Sequence, residues 1–239
     1  MVLRYGEQPY GATLESLRPG WYTVDVKVVT LIADIVGARG IPDRREFQRR
    51  LKAVLASINE SRRASLLSPL TLTIGDEFQA VYRGFTSLIP DLVEILAGIH
   101  PARLRAAASY GPLSTDINPH AALEMDGKAF NDARELMESL KTRRRTIIQI
   151  TTGESFNPDL VNISLALFSN AAGGWKHTTT QILNLLFKKE PVEAIAAELH
   201  ITPRAVNKNI AANNLRDCLE LSRIIAAELQ KGLKIDGRE

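Results

Sequence analysis

The chain has 239 residues, 45% of them hydrophobic and 24% charged, enough for one large domain or two small ones with a sizeable core. Its net charge of +3 carries no whole-chain signature of nucleic-acid binding, so local clustering must carry any such reading. A single cysteine, Cys218, excludes an internal disulfide and a cysteine zinc cluster; no apolar run approaches the ~20 residues that span a bilayer, and the start lacks a secretory-signal pattern, so a cytoplasmic location is expected.

Residues 1–24 contain Gly6, Pro9, Gly11, Pro19 and Gly20 and read as an irregular arm. Val26 to Ile35 is apolar and β-branched, which predicts a buried strand, and Gly37 to Pro42 a turn. Asp43 to Arg63 reads as a helix capped by Asp43, with Phe47, Leu51, Val54, Leu55 and Ile58 inward and Arg44, Arg45, Arg49, Arg50 and Lys52 on its other face. Leu70 to Ile74 and Phe78 to Tyr82 predict a hairpin around Gly75-Asp76. Helix is expected over Thr86 to Ile99, strand over the alanine-rich Leu104 to Tyr110, helix over Asp126 to Lys141 and strand over Thr146 to Thr151. That order is the split βαβ, ferredoxin-like arrangement of an α+β fold, which places the first strand beside the central hairpin. Asp34 and Asp76 then converge at one end of the sheet.

Beyond residue 152 the pattern becomes helical, over Asn157 to Ala171 and Thr178 to Phe187, with Ala171-Ala172-Gly173-Gly174 as the clearest linker signal. Val192 to Ile210 carries a helix-turn-helix pattern. Ile195, Ala196 and Leu199 pack the first helix, and His200 and Ile201 form the turn. Thr202 and Pro203 start the second helix, and Val206 and Ile210 are its inner face. Arg204, Asn207, Lys208, Ala211 and Asn214 are left near the outer face. Arg, Asn and Lys are side chains that read base edges and neutralise phosphates in a major groove. A small recognition surface of this kind calls for a homodimer. The final apolar series, Leu215 to Leu229, reads as a core or dimerisation helix. The expected division is an arm at 1–24, an α/β domain at 25–153, a connecting helix and linker at 154–174, and an all-α helix-turn-helix domain at 175–239.

A carboxylate that ends a buried strand is uncommon unless it is paired or holds a cation. Asp34, in Leu31-Ile32-Ala33-Asp34-Ile35-Val36-Gly37, and Asp76, in Ile74-Gly75-Asp76-Glu77, are two such groups. Together they offer hard oxygen ligands to Mg²⁺ or Mn²⁺, and hence to a nucleotide triphosphate. Glu77 is expected to be exposed or to support the ligands. Arg105 and the run Lys141, Arg143, Arg144, Arg145 are expected to face solvent, and His100, His120, His177 and His200 show no ligand spacing. No Walker-type glycine loop and no Ser-His-Asp pattern occurs.

These two motifs resemble the metal-binding signature of class III nucleotide cyclases, whose palm domain is related to the GGDEF domains of cyclic dinucleotide synthases. Ala33 to Arg39, Gly75 to Gln79, and Met125 to Phe130 followed by Ala133-Arg134-Glu135 resemble, more specifically, the SatD family, over about residues 26–212. The resemblance implies Asp34 and Asp76 as metal ligands, the backbone of Ile35, Val36 and Gly37 close to phosphates, and the start of the helix at Asp43 favouring an anion. It also implies Asn131 and Arg134 as catalytic residues. The cyclase pattern spaces that Asn and Arg four apart; here they are three apart. One residue turns a helix by about 100°, so Arg134 is expected to point away from the site. Leu72 and Lys128 stand where cyclases select the purine. Taken together with the helix-turn-helix pattern, the expected function is a DNA-binding regulator that senses a nucleotide or phosphate ligand through the cation; the alternatives are an active nucleotidyl cyclase or transferase, and a catalytically dead palm domain used only for oligomerisation.

Overall fold

The computed structural model describes residues 27–73, 75–143, 148–151 and 157–236. The expected arm at 1–24, and the Arg144, Arg145 and Thr146 positions, lie outside the described residues. Strands β1 (Lys27–Val36), β2 (Leu66–Leu72), β3 (Glu77–Tyr82), β4 (Arg103–Pro112) and β5 (Ile148–Thr151) form one sheet in the order β2-β3-β1-β4-β5. The first four are antiparallel in the split βαβ order, and β5 joins β4 in parallel. The mixed α+β architecture and the place of β1 beside β3 follow the sequence reading.

Helix α1 (Arg44–Ser61) starts at Asp43, whose carboxylate accepts from the Glu46 amide at 2.9 Å. It buries Phe47, Leu51, Leu55 and Ile58 against the sheet. Helix α2 (Leu88–Ile99) lies on the same face and is buried nearly all round. Each fully buried Leu or Ile side chain in it contributes roughly 1.5–3 kcal/mol. Helix α3 (Lys128–Arg143) covers the opposite face, where Val28, Ile32, Val81 and Ala107 meet Phe130, Ala133 and Met137. Its start comes so close to β4 that a Cβ on Gly111 would lie 3.3 Å from the Ala129 amide nitrogen. The alanines of β4 suit this spacing, because both faces of the strand are covered.

Strand β2 begins four residues before the expected Leu70 and runs through Pro69. It is an edge strand with register shifts around Ser68, the setting in which proline costs no ladder hydrogen bond. The opposite edge, β5, is closed by helix α4 (Pro158–Gly173): Asn162 accepts from the Ile150 amide and donates to its carbonyl, both at 2.8 Å. The expected linker at Ala171 to Gly174 is the last turn and cap of α4.

Helices α5 (His177–Phe187), α6 (Val192–Glu198), α7 (Pro203–Ala212) and α8 (Leu215–Asp236) complete the chain. They share one apolar core with the sheet, running from Leu31 and Ile95 through Leu183 to Val206 and Leu229. Helix α5 sits on α2. Two polar contacts fix it there: Lys188 to Glu94 at 2.8 Å, and the His177 ring to the Ala97 carbonyl at 3.0 Å. At the far end, Gln230 of α8 accepts from the Phe85 amide at 3.1 Å. Among the described residues no helix is long and apolar enough to cross a membrane.

Candidate functional site

Asp34 is the seventh residue after the start of β1 at Lys27, and in antiparallel register it faces Glu77 on β3 and Arg105 on β4. Directly opposed residues share a face, so Asp34, Glu77 and Arg105 project together on the α3 side. Asp76 immediately precedes Glu77, in the β2–β3 turn where Gly75 adopts φ +72°. The register therefore brings Asp34 and the Gly75-Asp76 turn to one rim of the sheet.

The partner of Asp34 on that rim is a cation. Arg105 donates from Nε to Asp34 Oδ1 at 3.0 Å, with both side chains largely covered. Arg105 is thus an ion-pair partner and not the solvated residue expected from the sequence. The signal was an arginine opening an alanine-rich strand, and its meaning depends on a register set 71 residues away. Glu77 lies 3.8 Å from Arg134 Nη1. Arg134 consequently turns toward the rim, correcting the expectation drawn from its one-residue offset along the helix. The helix packs with Ala133 and Met137 inward, and the long Arg134 side chain extends from it to Glu77 on β3. Asn131 and Glu135 are exposed on α3. Glu138, one turn further on, is held below the usual carboxylate range by Lys141, with smaller contributions from Arg105 and Arg134. Lys128 pairs with Asp132 at 2.7 Å.

The residues after Asp34 divide. Ile35 is buried in the α1–α2 core, Val36 is 40% exposed, and Gly37 takes φ +70° to start a 3-10 turn over Ala38–Gly40. Gly37 opens on a cavity of about 410 Å³ walled by Ile41, Phe47, Arg50, Ile99 and Pro101. Arg50 there is taken up by the Gly98 and His100 carbonyls at 2.9 and 2.7 Å. The start of α1 is no open anion site: Asp43 already occupies it and Glu46 lies in its first turn, so the helix dipole is met by the chain's own carboxylates.

The donor set fits a hard cation in one form only. Among the described residues no three His, Cys, Asp or Glu side chains gather as a metal cage. Mg²⁺ needs none: it binds through one or two carboxylates and completes its shell with water and phosphate oxygens. Asp34 and Asp76 suit that role, provided Arg105 yields Asp34 Oδ1.

In the C-terminal part, α6 and α7 are joined by a tight turn in which His200 adopts φ +54°. Thr202 caps α7 by accepting from the Ala205 amide at 3.1 Å. Val206 and Ile210 are buried, whereas Arg204, Asn207, Lys208 and Asn214 are all exposed. The Asp34 rim and the α7 surface are separate groups of residues.

A second polar cluster lies under α2, and the sequence reading missed it. Asp91 is fully buried, accepts from Arg62 Nε at 3.0 Å and from the Tyr82 hydroxyl at 3.1 Å. Burial raises its carboxyl to about 6 despite the Arg62 guanidinium, and burial together with Asp91 raises the Tyr82 phenol.

Three solved structures are similar to part of this chain. A bacterial light-regulated adenylyl cyclase is 18% identical, over 53% of this chain and 76% of its own, with a TM-score of 0.41. The guanylate cyclase domain of RhGC from Catenaria anguillulae, in complex with GTP, is 18% identical over 47% and 72%, with a TM-score of 0.35. The guanylyl cyclase domain of the RhoGC fusion protein from the aquatic fungus Blastocladiella emersonii is 16% identical over 47% and 74%, with a TM-score of 0.34. These values transfer no residue role to this chain. Curated proteins give no match. A family model, that of the SatD family, matches residues 28–229, from β1 into α8. The chain belongs to the SatD family.

Proposed function

We propose that this protein is a cytoplasmic DNA-binding regulator whose α/β part senses a nucleotide or related phosphate ligand through Mg²⁺ or Mn²⁺. The observation that carries this reading is the register of β1 with β3, which sets Asp34 beside the Gly75-Asp76 turn. Asp34 and Asp76 hold the cation, and the Ile35–Gly37 backbone stands next to the phosphates. The cation neutralises phosphate charge when bound. Arg105, which holds Asp34 Oδ1 at 3.0 Å, would have to yield that oxygen to a cation, and its guanidinium would then remain beside an anionic ligand.

Helices α6 and α7 serve as a helix-turn-helix. Arg204, Asn207 and Lys208 on the exposed side of α7, with Asn214 after it, suit base edges and phosphates. Two copies read two half-sites. The ligand acts on DNA binding only to the extent that it favours one arrangement of the chain over another.

Calorimetry with Mn²⁺ and each nucleoside triphosphate tests the front half. Binding that Asp34→Asn removes supports the reading; equal binding by wild type and variant sinks it. A gel-shift assay at low salt on the DNA upstream of the protein's own coding region tests the back half, and no retained complex ends the DNA reading.

Arg134 favours a second reading, nucleotidyl transfer, because its guanidinium reaches toward the rim and Asn131 lies three residues before it on α3. A cation there stabilises charge developing on a transferring phosphate. Incubation with each triphosphate and Mn²⁺ followed by chromatography decides it: a cyclic or transferred product lost in Arg134→Ala supports transfer, and unchanged triphosphate removes it.

A further inference from the structure

A cavity of about 200 Å³ lies where the start of β4 meets the α4–α5 connection. Leu96, His100 and Arg103 line it from the α/β part, and Gly173, Trp175 and Thr180 from the helical part. The Trp175 ring is held by an edge-to-face contact with Phe168, at 5.8 Å between centroids and 84° between planes. His100 is held by stacking on His177 at 4.8 Å and 10°. Two walls of the cavity are therefore aromatic and fixed before anything enters.

The charge at this cavity has one sign. No carboxylate lines it among the described residues. Arg103 is exposed, and the one hydrogen bond of its side chain among those residues is a 3.4 Å contact with the Gly173 carbonyl. A carbonyl leaves the guanidinium charge uncompensated, unlike the carboxylate that meets Arg105. A guanidinium fork matches a carboxylate in plane and spacing. The volume admits a single aromatic ring with one substituent, and the lining sets aromatic faces beside polar groups, Arg103 and Thr180 among them.

We propose that this cavity binds a small aromatic carboxylate, with its ring against Trp175 and its carboxylate on Arg103. The site is distinct from the Asp34 rim and depends on neither the metal nor the DNA reading. Its occupant touches residues 96–103 and 172–180 together, so it ties the helical part to the α/β part and raises the thermal midpoint.

The test uses the full chain carrying Trp21→Phe, which leaves Trp175 as its only tryptophan. The probes are benzoate and benzamidine, of the same shape and opposite charge. Benzoate is expected to change Trp175 fluorescence saturably, with a dissociation constant in roughly the millimolar range for so few atoms, and to raise the melting midpoint. Benzamidine is expected to do neither. Arg103→Glu is expected to weaken benzoate at least ten-fold. Equal responses to the two probes, no saturable response to benzoate, or undiminished benzoate binding by a folded Arg103→Glu chain each overturn the proposal. The benzoate–benzamidine comparison holds even if that variant fails to fold.

Discussion

Arg105 and Asp34 face each other across the β1–β4 ladder and are joined by a 3.0 Å hydrogen bond between opposite charges. The arginine fills one oxygen of the carboxylate that the sequence offers to a cation. A cation held there, as proposed, would compete with the arginine for the same oxygen.

Arg105→Gln is therefore expected to tighten Mn²⁺ binding in the absence of any nucleotide. A partly covered ion pair contributes about 1 kcal/mol, so the gain is roughly five-fold. Titration of the two proteins by calorimetry checks this. An unchanged or weaker affinity means that Asp34 is a structural partner of Arg105 and not a ligand.

Asp91 ties stability to pH. Its carboxyl is near 3.8 when unfolded and is raised to about 6 when folded. The folded chain holds the proton more tightly, so this contribution is complete below pH 3.8 and is lost as pH rises through about 6. The full span is of the order of 3 kcal/mol. Urea unfolding at pH 4.5 and pH 6.5 is expected to show Asp91→Asn with a more positive change in stability over that interval than wild type. Parallel profiles would falsify the assignment.

Gly127 precedes α3 with φ +141°, and a Cβ there would lie 2.6 Å from both Leu113 Cα and the Ser114 nitrogen. Neither backbone atom can step aside cheaply. Gly127→Ala is expected to cost about 3 kcal/mol, combining backbone strain with steric overlap. Denaturant midpoints give the measurement, and a loss below half that figure shows that the turn adapts.

Arg204→Ala with Lys208→Ala removes two exposed cations from α7 while leaving Val206 and Ile210 packed. If α7 reads DNA, affinity falls ten- to a hundred-fold or more at about 1–3 kcal/mol per specific contact. The dependence of the logarithm of binding on salt also becomes shallower, since fewer phosphates are neutralised. A complex with unaltered affinity and salt slope places the DNA contact elsewhere or nowhere.

The elements were legible where local chemistry decides them. Asp43 caps α1 as its position implies, Gly75-Asp76 makes the turn, and the strand order follows from the split βαβ sequence of elements. Pro69 hid the start of β2 because its tolerance depends on being at an edge, which a single strand cannot reveal. Ala171 to Gly174 read as a linker because small residues are equally at home in the closing turn and cap of a helix. At the site, the placement of Asp34 against the hairpin was readable, but the guanidinium that meets it was not. Pairing of Arg105 with Asp34, of Arg62 with Asp91 and of Lys188 with Glu94 joins residues far apart in sequence, and no periodicity announces such contacts.

Helix α2 has the sheet on one flank and α5 on the other, with Glu94 and Ala97 marking the second flank. Cutting the chain at residue 174 bares that flank to water. A fragment ending there is expected to clump, and a fragment starting there to lose the platform on which its first helix rests. Dissection into halves is therefore a poor tool for this molecule, and point substitutions in the intact polypeptide are the way to assign its parts.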